Sequence, residues 1–445
     1  MPLQAKKTET RTLDHPAAEQ AAAALPLARP EFSPIWPPTE LPYSRTAQAE
    51  LFQGEAWLQV DLDRLAQNLQ AVRTFVHQHN PQARIMAVVK ANAYGHGAPV
   101  VAHALEELGV DALAVSSVTE GVELRRAGIV VPVLVFNPPL PEEAPAMVAY
   151  GLTASISNLR QAQAIAAVAR ELRVHARVHM EVDTGLHRFG VEPQGAVVLA
   201  QQIVDAGLGL EGVYTHLSTP QSPRLRRQEL DRFRRVLDGL QRAGVDVPLR
   251  HAASSAVLVR EPDAIFDMVR VGSLLFGSNP AGRGPHVEPV AELQSRVIAL
   301  QSVPAGEGIG YGRDYVARRL TLAATVPVGY SHGFGMQTVG EASRAKAVFG
   351  NLARWILHHI GLGGLADRRL AGYGHYAVVR GRRLPVIGRV FMQQLVLDAT
   401  SLPEVEVGDL VQLPVARVNA NPRLARVYVR DGKVEHVSSL IGELD

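Results

Sequence analysis

From Trp57 to about Pro285, short apolar runs alternate with stretches in which apolar residues return every three or four positions. The runs are Arg84–Val89, Ala112–Val115, Val131–Phe136, Thr153–Ile156, Val174–Val182, Leu210–Tyr214, Val247–Leu249 and Phe266–Val271. Short continuous apolar runs fit strands buried on both faces. The intervening stretches, such as Pro99–Leu108, Ser157–Leu172 and Arg224–Ala243, fit amphipathic helices. Eight strands separated by helices predict an α/β architecture of the (β/α)8 (TIM) barrel type. A doubly wound open sheet competes, but no Gly-x-Gly-x-x-Gly follows the first run.

After about residue 286 the rhythm changes. Val287–Val303, Leu320–Val328, Tyr376–Val379, Leu384–Val390 and Leu395–Asp398 are short, β-rich and separated by Gly- and Pro-containing turns. They predict a second, mostly β domain, with an inserted helix over Val348–Gly361. The first 50 residues hold eight prolines and no sustained apolar period. They are expected to form a poorly ordered arm. The expected division is therefore arm 1–50, barrel 56–285 and β-rich domain 286–445.

Composition narrows the chemistry. Among 445 residues, 45 Lys and Arg oppose 43 Asp and Glu, and no long basic block suggests nucleic acid. The absence of cysteine excludes disulfides, Cys-based zinc sites and a catalytic thiol. No metal site is expected. No run of 18 apolar residues predicts a membrane span, and the Ala21–Ala28 stretch lacks the order of a signal peptide. A cytoplasmic location is expected. The positive charge is almost all arginine: the five lysines are Lys6, Lys7, Lys90, Lys346 and Lys433.

Lys90 closes the first barrel run and precedes Ala91-Asn92-Ala93-Tyr94-Gly95-His96-Gly97. The C-terminal ends of barrel strands form the mouth where active sites lie. Partial burial lowers an ammonium pKa and readies the amine to form an imine. Position alone also fits a lysine that marks where the strand meets solvent. The loops after strands seven and eight read His251-Ala252-Ala253-Ser254-Ser255-Ala256 and Arg270-Val271-Gly272-Ser273. Small residues, hydroxyls and free backbone N–H groups there suit a barrel phosphate site, although each loop alone fits an ordinary capped turn. An imine-forming lysine beside a phosphate site points to pyridoxal phosphate. Arg270 beside that site fits an anionic partner or a surface ion pair equally well.

These residues, in this order, resemble the alanine racemase family of fold type III pyridoxal-phosphate enzymes. The resemblance covers roughly residues 56 to 410. It rests on Val88–Gly97, Asp183-Thr184-Gly185-Leu186-His187-Arg188-Phe189-Gly190, Tyr214-Thr215-His216-Leu217, Arg270-Val271-Gly272, Gly310-Tyr311-Gly312-Arg313 and Gly388-Arg389-Val390-Phe391-Met392. It implies that Lys90 binds the cofactor and acts as one catalytic base. Tyr311 would be the base on the opposite face, supplied by the partner subunit of a homodimer. Arg270 would face the pyridine nitrogen, and His216 would link Arg270 to Tyr311. Tyr94, Ser255, Gly272 and Ser273 would hold the phosphate. Arg188 would hold the substrate carboxylate, and Met392 of the partner would line the substrate cavity. The implied reaction converts L-alanine to D-alanine, a peptidoglycan precursor.

The chain departs from the family pattern in places. Glu181 stands where many members carry a carbamylated lysine, and a carboxylate there supplies negative charge near Arg188. Ser254-Ser255 replaces an Asn-Ser pair, Phe276 a tyrosine and Gln393 an aspartate. The tail Val427–Gly432 does not match the family's late Tyr-Glu pair. Racemisation of another amino acid such as serine, a decarboxylase and a non-catalytic cofactor-binding paralogue are the alternatives. The absence of cysteine weighs against the decarboxylase, and the presence of Tyr311 against the paralogue.

Overall fold

The structure is a computed structural model that describes residues 55–279, 281–334, 375–414 and 421–438. The expected arm and the helix expected over Val348–Gly361 lie outside the described residues. Strands β2 (Arg84–Val88), β3 (Ala112–Val115), β4 (Val133–Val135), β5 (Thr153–Ile156), β6 (Arg177–Glu181), β7 (Gly209–Tyr214), β8 (Leu249–His251) and β9 (Met268–Val271) form one parallel sheet in the order β8-β7-β6-β5-β4-β3-β2-β9. Every residue of β3, β4, β5 and β9 is buried; β3 and β4 accordingly read as continuous apolar runs, while β5 and β9 bury Thr153, Ser155 and Arg270 among their apolar residues. The sheet closes where Ser254 bridges Arg270 and the Arg270 N–H donates to the Ala253 carbonyl at 2.9 Å.

The barrel helices follow their apolar periods and caps. Val118–Arg126 begins at a capping box in which Ser117 and Glu120 satisfy each other's backbone N–H groups. Leu159–Leu172 is capped by Asn158, and Pro223–Arg242 by Ser222. The last buries Leu230, Phe233, Val236 and Leu240 against the barrel and leaves most of its arginines outward.

The second sheet has ten strands: β1 (Ala56–Asp61), β10 (Ala291–Arg296), β11 (Ala299–Val303), β14 (Thr321–Val326), β15 (Tyr376–Val379), β16 (Arg382–Ile387), β17 (Leu395–Asp398), β18 (Leu410–Leu413), β19 (Ala425–Arg430) and β20 (Lys433–Ser438). A small ribbon, β12 (Gly308–Ile309) with β13 (Tyr315–Val316), stands apart from it. Although β1 precedes the barrel in sequence, it is paired in this sheet, antiparallel to β10 and parallel to β19. It is followed directly by the helix Leu62–His79, so the chain passes from the second sheet into the barrel within one residue. Asn68 on that helix seals the junction. Its amide donates to the Leu275 and Glu288 carbonyls at 3.0 and 2.8 Å and accepts from the Glu288 N–H at 2.9 Å. One continuous apolar core runs through both sheets.

Candidate active site

Lys90 stands two residues beyond β2, and the chain then makes an uncommon turn. Ala91, Asn92, Ala93 and Tyr94 all have φ between +52° and +54°. Left-handed helical backbone costs about 1–2 kcal/mol per L-residue. The neighbourhood over-determines this turn. Glu120 Oε1 accepts the Ala91 N–H at 2.6 Å, Asn92 Oδ1 accepts the Ala98 N–H at 2.6 Å, and the Gly97 N–H donates to the Asn92 carbonyl at 3.0 Å. From the second sheet, the Arg426 guanidinium donates to the Gly95 carbonyl at 3.1 and 3.2 Å. Tyr428 closes on Gly97, where a Cβ would lie 1.8 Å from its hydroxyl. Strain held this firmly is characteristic of a functional position.

The turn opens onto a cavity at the barrel mouth. Lys90, Tyr94, Arg188, His216, Ser255, Arg270, Gly272 and Ser273 line it together with Val88, Phe136, Tyr214, Ser254 and Ala256. All eight barrel residues expected at the site therefore converge. Burial pushes the Lys90 amine below its ordinary range, Arg188 adds to this, and Glu120 opposes it. Burial, with the cations Arg270, Arg188 and Lys90, holds His216 down to about 3, so its imidazole is neutral at physiological pH.

The small-residue wall is tightly fitted. A Cβ on Gly272 would lie 2.3 Å from the Tyr94 hydroxyl. Ser255 Oγ accepts the Gly272 N–H at 3.1 Å. Tyr94, Ser254, Ser255 and Ser273, all hydroxyl-bearing, line the cavity together with Lys90. This donor set fits pyridoxal phosphate.

Arg270 is 3% exposed, and burial lowers it to about 10, which leaves it cationic at neutral pH. Its Nη1 donates to His251 Nδ1 and to the His251 carbonyl, both at 2.9 Å. Its Nη2 donates to the carbonyls of Thr215 at 2.7 Å and Ala252 at 3.4 Å. The guanidinium carbon lies 5.1 Å from the Tyr214 ring centroid. The hydrogen-bond neighbour of Arg270 is thus His251, not His216 as the resemblance implied. The reason is register: β8 adjoins β9 across the barrel closure and brings His251 within reach.

Glu181 is buried, and its carboxylate accepts from the Tyr214 hydroxyl at 3.0 Å. Burial raises its pKa, while Tyr214, Arg188 and Arg270 pull it back. Among the described ion pairs none joins Glu181 to Arg188. The Arg188 guanidinium lies over Phe189, 5.1 Å from its centroid, and reaches the cavity from the Asp183 loop. Asp183 Oδ1 shapes that loop by accepting the N–H groups of Gly185, Leu186 and His187 at 2.9–3.1 Å.

Tyr311 and Met392 are not brought to this cavity. They line a separate open depression with Tyr330, Arg389 and Phe391. Tyr311 is 77% exposed and Met392 59%. The Tyr311 ring meets Phe391 edge-on at 5.3 Å, on a loop bent by left-handed Gly310 and Gly312. Within one chain, then, Lys90 and Tyr311 belong to different surfaces.

Several supporting residues were not singled out by the sequence. Tyr214 and His251 stand only as parts of longer motifs, Tyr428 lies in the unmatched tail, and Glu120 and Arg426 belong to none of the motifs. Only the Glu120 capping box had a local signal.

Comparison with known proteins agrees with this geometry. The family described as "Alanine racemase, N-terminal domain" matches residues 60–280, and "Alanine racemase, C-terminal domain" matches 290–356 and 357–428. An alanine racemase of Symbiobacterium thermophilum is 36% identical over 363 residues, 80% of this chain and 86% of that protein. One from Halothermothrix orenii is 34% identical over the same shares. The solved alanine racemase of Clostridium difficile 630 superposes with a TM-score of 0.73 at 27% identity, covering 87% of this chain and 99% of that one. With both its domains matched over most of its length, this chain belongs to the alanine racemase family.

Proposed function

We propose that this protein interconverts L- and D-alanine with pyridoxal phosphate at the barrel mouth, using two bases on opposite faces of the substrate. The observation that carries this reading is the convergence of Lys90, Arg188, His216, Ser255, Arg270 and Gly272 on one cavity, fed by a strained turn. Alanine racemase family enzymes use pyridoxal 5'-phosphate, which when bound supplies the electron sink that acidifies the α-hydrogen of an attached amino acid.

The chain's own groups do the rest. The lowered Lys90 amine would hold the cofactor and, when freed by an incoming amino acid, would move a proton at Nζ on one face of the substrate Cα. Tyr94, Ser255 and the segment Gly272–Ser273 hold the phosphate. Arg188 pairs with the substrate carboxylate. The Nη hydrogens of Arg270 are directed at His251 and three carbonyls, which leaves Nε–H to donate to the ring nitrogen. A guanidinium keeps its proton at neutral pH, so Arg270 would leave the ring nitrogen unprotonated, which would favour return of a proton at Cα. Neutral His216 stands in the same cavity and adds no further cation to it.

The second base is Tyr311 of another copy of the chain. Its exposure, and that of Met392 beside it, suits a surface completed by a partner. On this reading the barrel that follows β1 within residues 56–285 holds the cofactor, and residues 286–445 carry Tyr311 and Met392 into the partner's cavity in a homodimer. Two groups are needed because one side chain cannot easily reach both faces of a planar centre.

The test is to load the purified protein with pyridoxal phosphate and follow L-alanine in D2O. Solvent deuterium entering Cα with formation of D-alanine is expected, and Lys90→Ala should abolish both. A cofactor-loaded protein that exchanges no α-proton would overturn the proposal.

A further inference from the structure

Behind Arg270 a line of buried side chains leaves the cavity and runs through the barrel interior. His251, on β8, is fully buried, and His179, on β6, is 2% exposed. His251 Nε2 lies 2.9 Å from His179 Nδ1, and His179 Nε2 lies 3.5 Å from Glu211 Oε2 on β7. Neither His179 nor Glu211 lines the cofactor cavity. They border a small apolar pocket in the barrel interior with Met86, Leu134 and Met268.

The direction of each bond in this line is dictated. A guanidinium only donates, so His251 Nδ1 must accept from Arg270. The remaining ring nitrogen, His251 Nε2, then carries the hydrogen and donates to His179 Nδ1. That leaves His179 with its hydrogen on Nε2, facing the Glu211 carboxylate. Both rings are neutral in this arrangement. Burial and the Arg270 charge hold His251 far below the ordinary histidine range. The space is reserved in the backbone: a Cβ on Gly212 would lie 2.7 Å from His179 Nδ1, so the glycine admits the ring. The Tyr214 ring stacks on His251 at 4.9 Å and 16° and keeps its plane fixed.

We propose that His179 and Glu211 are positioning residues for Arg270, acting through the tautomer of His251. This rests on Arg270 facing the cofactor ring, as proposed above. Were His251 to carry its hydrogen on Nδ1, two donors would oppose each other at 2.9 Å and the guanidinium would have to turn away. The acceptor at His179 excludes that state, and the Glu211 carboxylate holds His179 in the matching tautomer. Arg270 then presents Nε–H in one orientation. Supporting hydrogen bonds of this kind are what hold a reacting constellation within the narrow tolerance that chemistry demands.

The experiment uses the full-length protein with 15N-labelled histidine, read by two-bond proton–nitrogen NMR before and after loading with pyridoxal phosphate. Nε2–H tautomers at both His251 and His179 are expected, with or without cofactor. His179→Leu removes the acceptor. The His251 pattern should become mixed, the visible absorption of the bound cofactor should shift, and kcat should fall about tenfold to a hundredfold with KM changed less than about threefold. His179→Asn places Oδ1 near the position of Nδ1. It should restore the His251 pattern and bring kcat back to within about threefold of the parent. An Nδ1–H tautomer at His251 in the parent protein would overturn the proposal. So would equal impairment of the leucine and asparagine variants, which would mark a packing role alone. The parent spectrum needs no variant, so a leucine protein that fails to fold does not shelter the assignment. Nor does it need turnover, so failure of the racemase reading would appear separately, as absent α-proton exchange.

Discussion

Gly272→Ala is the most direct probe of the phosphate side of the cavity. The substitution adds one methyl group 2.3 Å from the Tyr94 hydroxyl and 2.9 Å from its ring carbon Cζ. Ordinary contact needs roughly 3.3 Å or more, so the tyrosine tip must retreat by about 1 Å. Gly272 has no left-handed φ, so the whole penalty comes from this overlap rather than from backbone strain. The ring cannot slide freely. It packs on Phe276 at 5.2 Å and hangs from the left-handed turn that also carries Lys90. Overpacking of this size costs about 1–3 kcal/mol. If the displaced hydroxyl is a phosphate ligand, titration of the apoprotein with pyridoxal phosphate should show affinity about tenfold to a hundredfold weaker, at 1.4 kcal/mol per tenfold. The melting temperature should fall by about 2–4 °C per kcal/mol. In a Tyr94→Ala background the methyl group meets no ring, and the added cost of Gly272→Ala should largely vanish. That non-additivity, of about 1 kcal/mol or more, is the signature of direct contact. Unchanged cofactor affinity in Gly272→Ala, or the same penalty with and without the Tyr94 ring, would refute the reasoning.

Other outcomes follow from the same geometry. Mixing Lys90→Ala with Tyr311→Phe chains should restore activity to about a quarter of the parent level, because random pairing leaves one intact site in half of the symmetric dimers. Activity of the mixture no greater than that of either variant alone would sink the shared-site proposal. Gly97→Ala combines φ +95° with a Cβ 1.8 Å from the Tyr428 hydroxyl, so it should destabilise the fold by about 3 kcal/mol or more, measured by urea denaturation. Parent-like stability would contradict the tight closure of Tyr428 over the turn. His216 is lowered to about 3 in the fold against 6.5 unfolded. The unfolded chain therefore takes up a proton that the fold refuses. Its contribution is complete above pH 6.5 and is lost as pH falls toward 3, at about 1.4 kcal/mol per pH unit. Denaturation midpoints between pH 7 and 4 should show a flatter slope in His216→Gln, and an identical slope would disprove the shift.

The sequence by itself determined where the barrel strands lie and which of their ends carry chemistry. A strand buried on both faces is mostly apolar, and this local signature located β2 to β9, with ends shifted by one to three residues where runs such as Val174–Val182 outlast their hydrogen bonds. Lys90 and Arg270 were legible because a charge at the end of such a run is conspicuous. The tertiary structure alone decided partners. Nothing in the apolar pattern of β1 states that it pairs with β10 and β19, more than 200 residues away, rather than in the barrel it precedes. The left-handed turn after Lys90 runs through two alanines, an asparagine and a tyrosine, of which only the asparagine has a local tolerance for positive φ. It is imposed by Glu120 from one side and by Arg426 and Tyr428 from the other. The same holds for the line from Arg270 to Glu211, whose four members come from four strands. Periodicity records whether a residue is buried. Which groups it meets there is fixed only when distant segments close on one another.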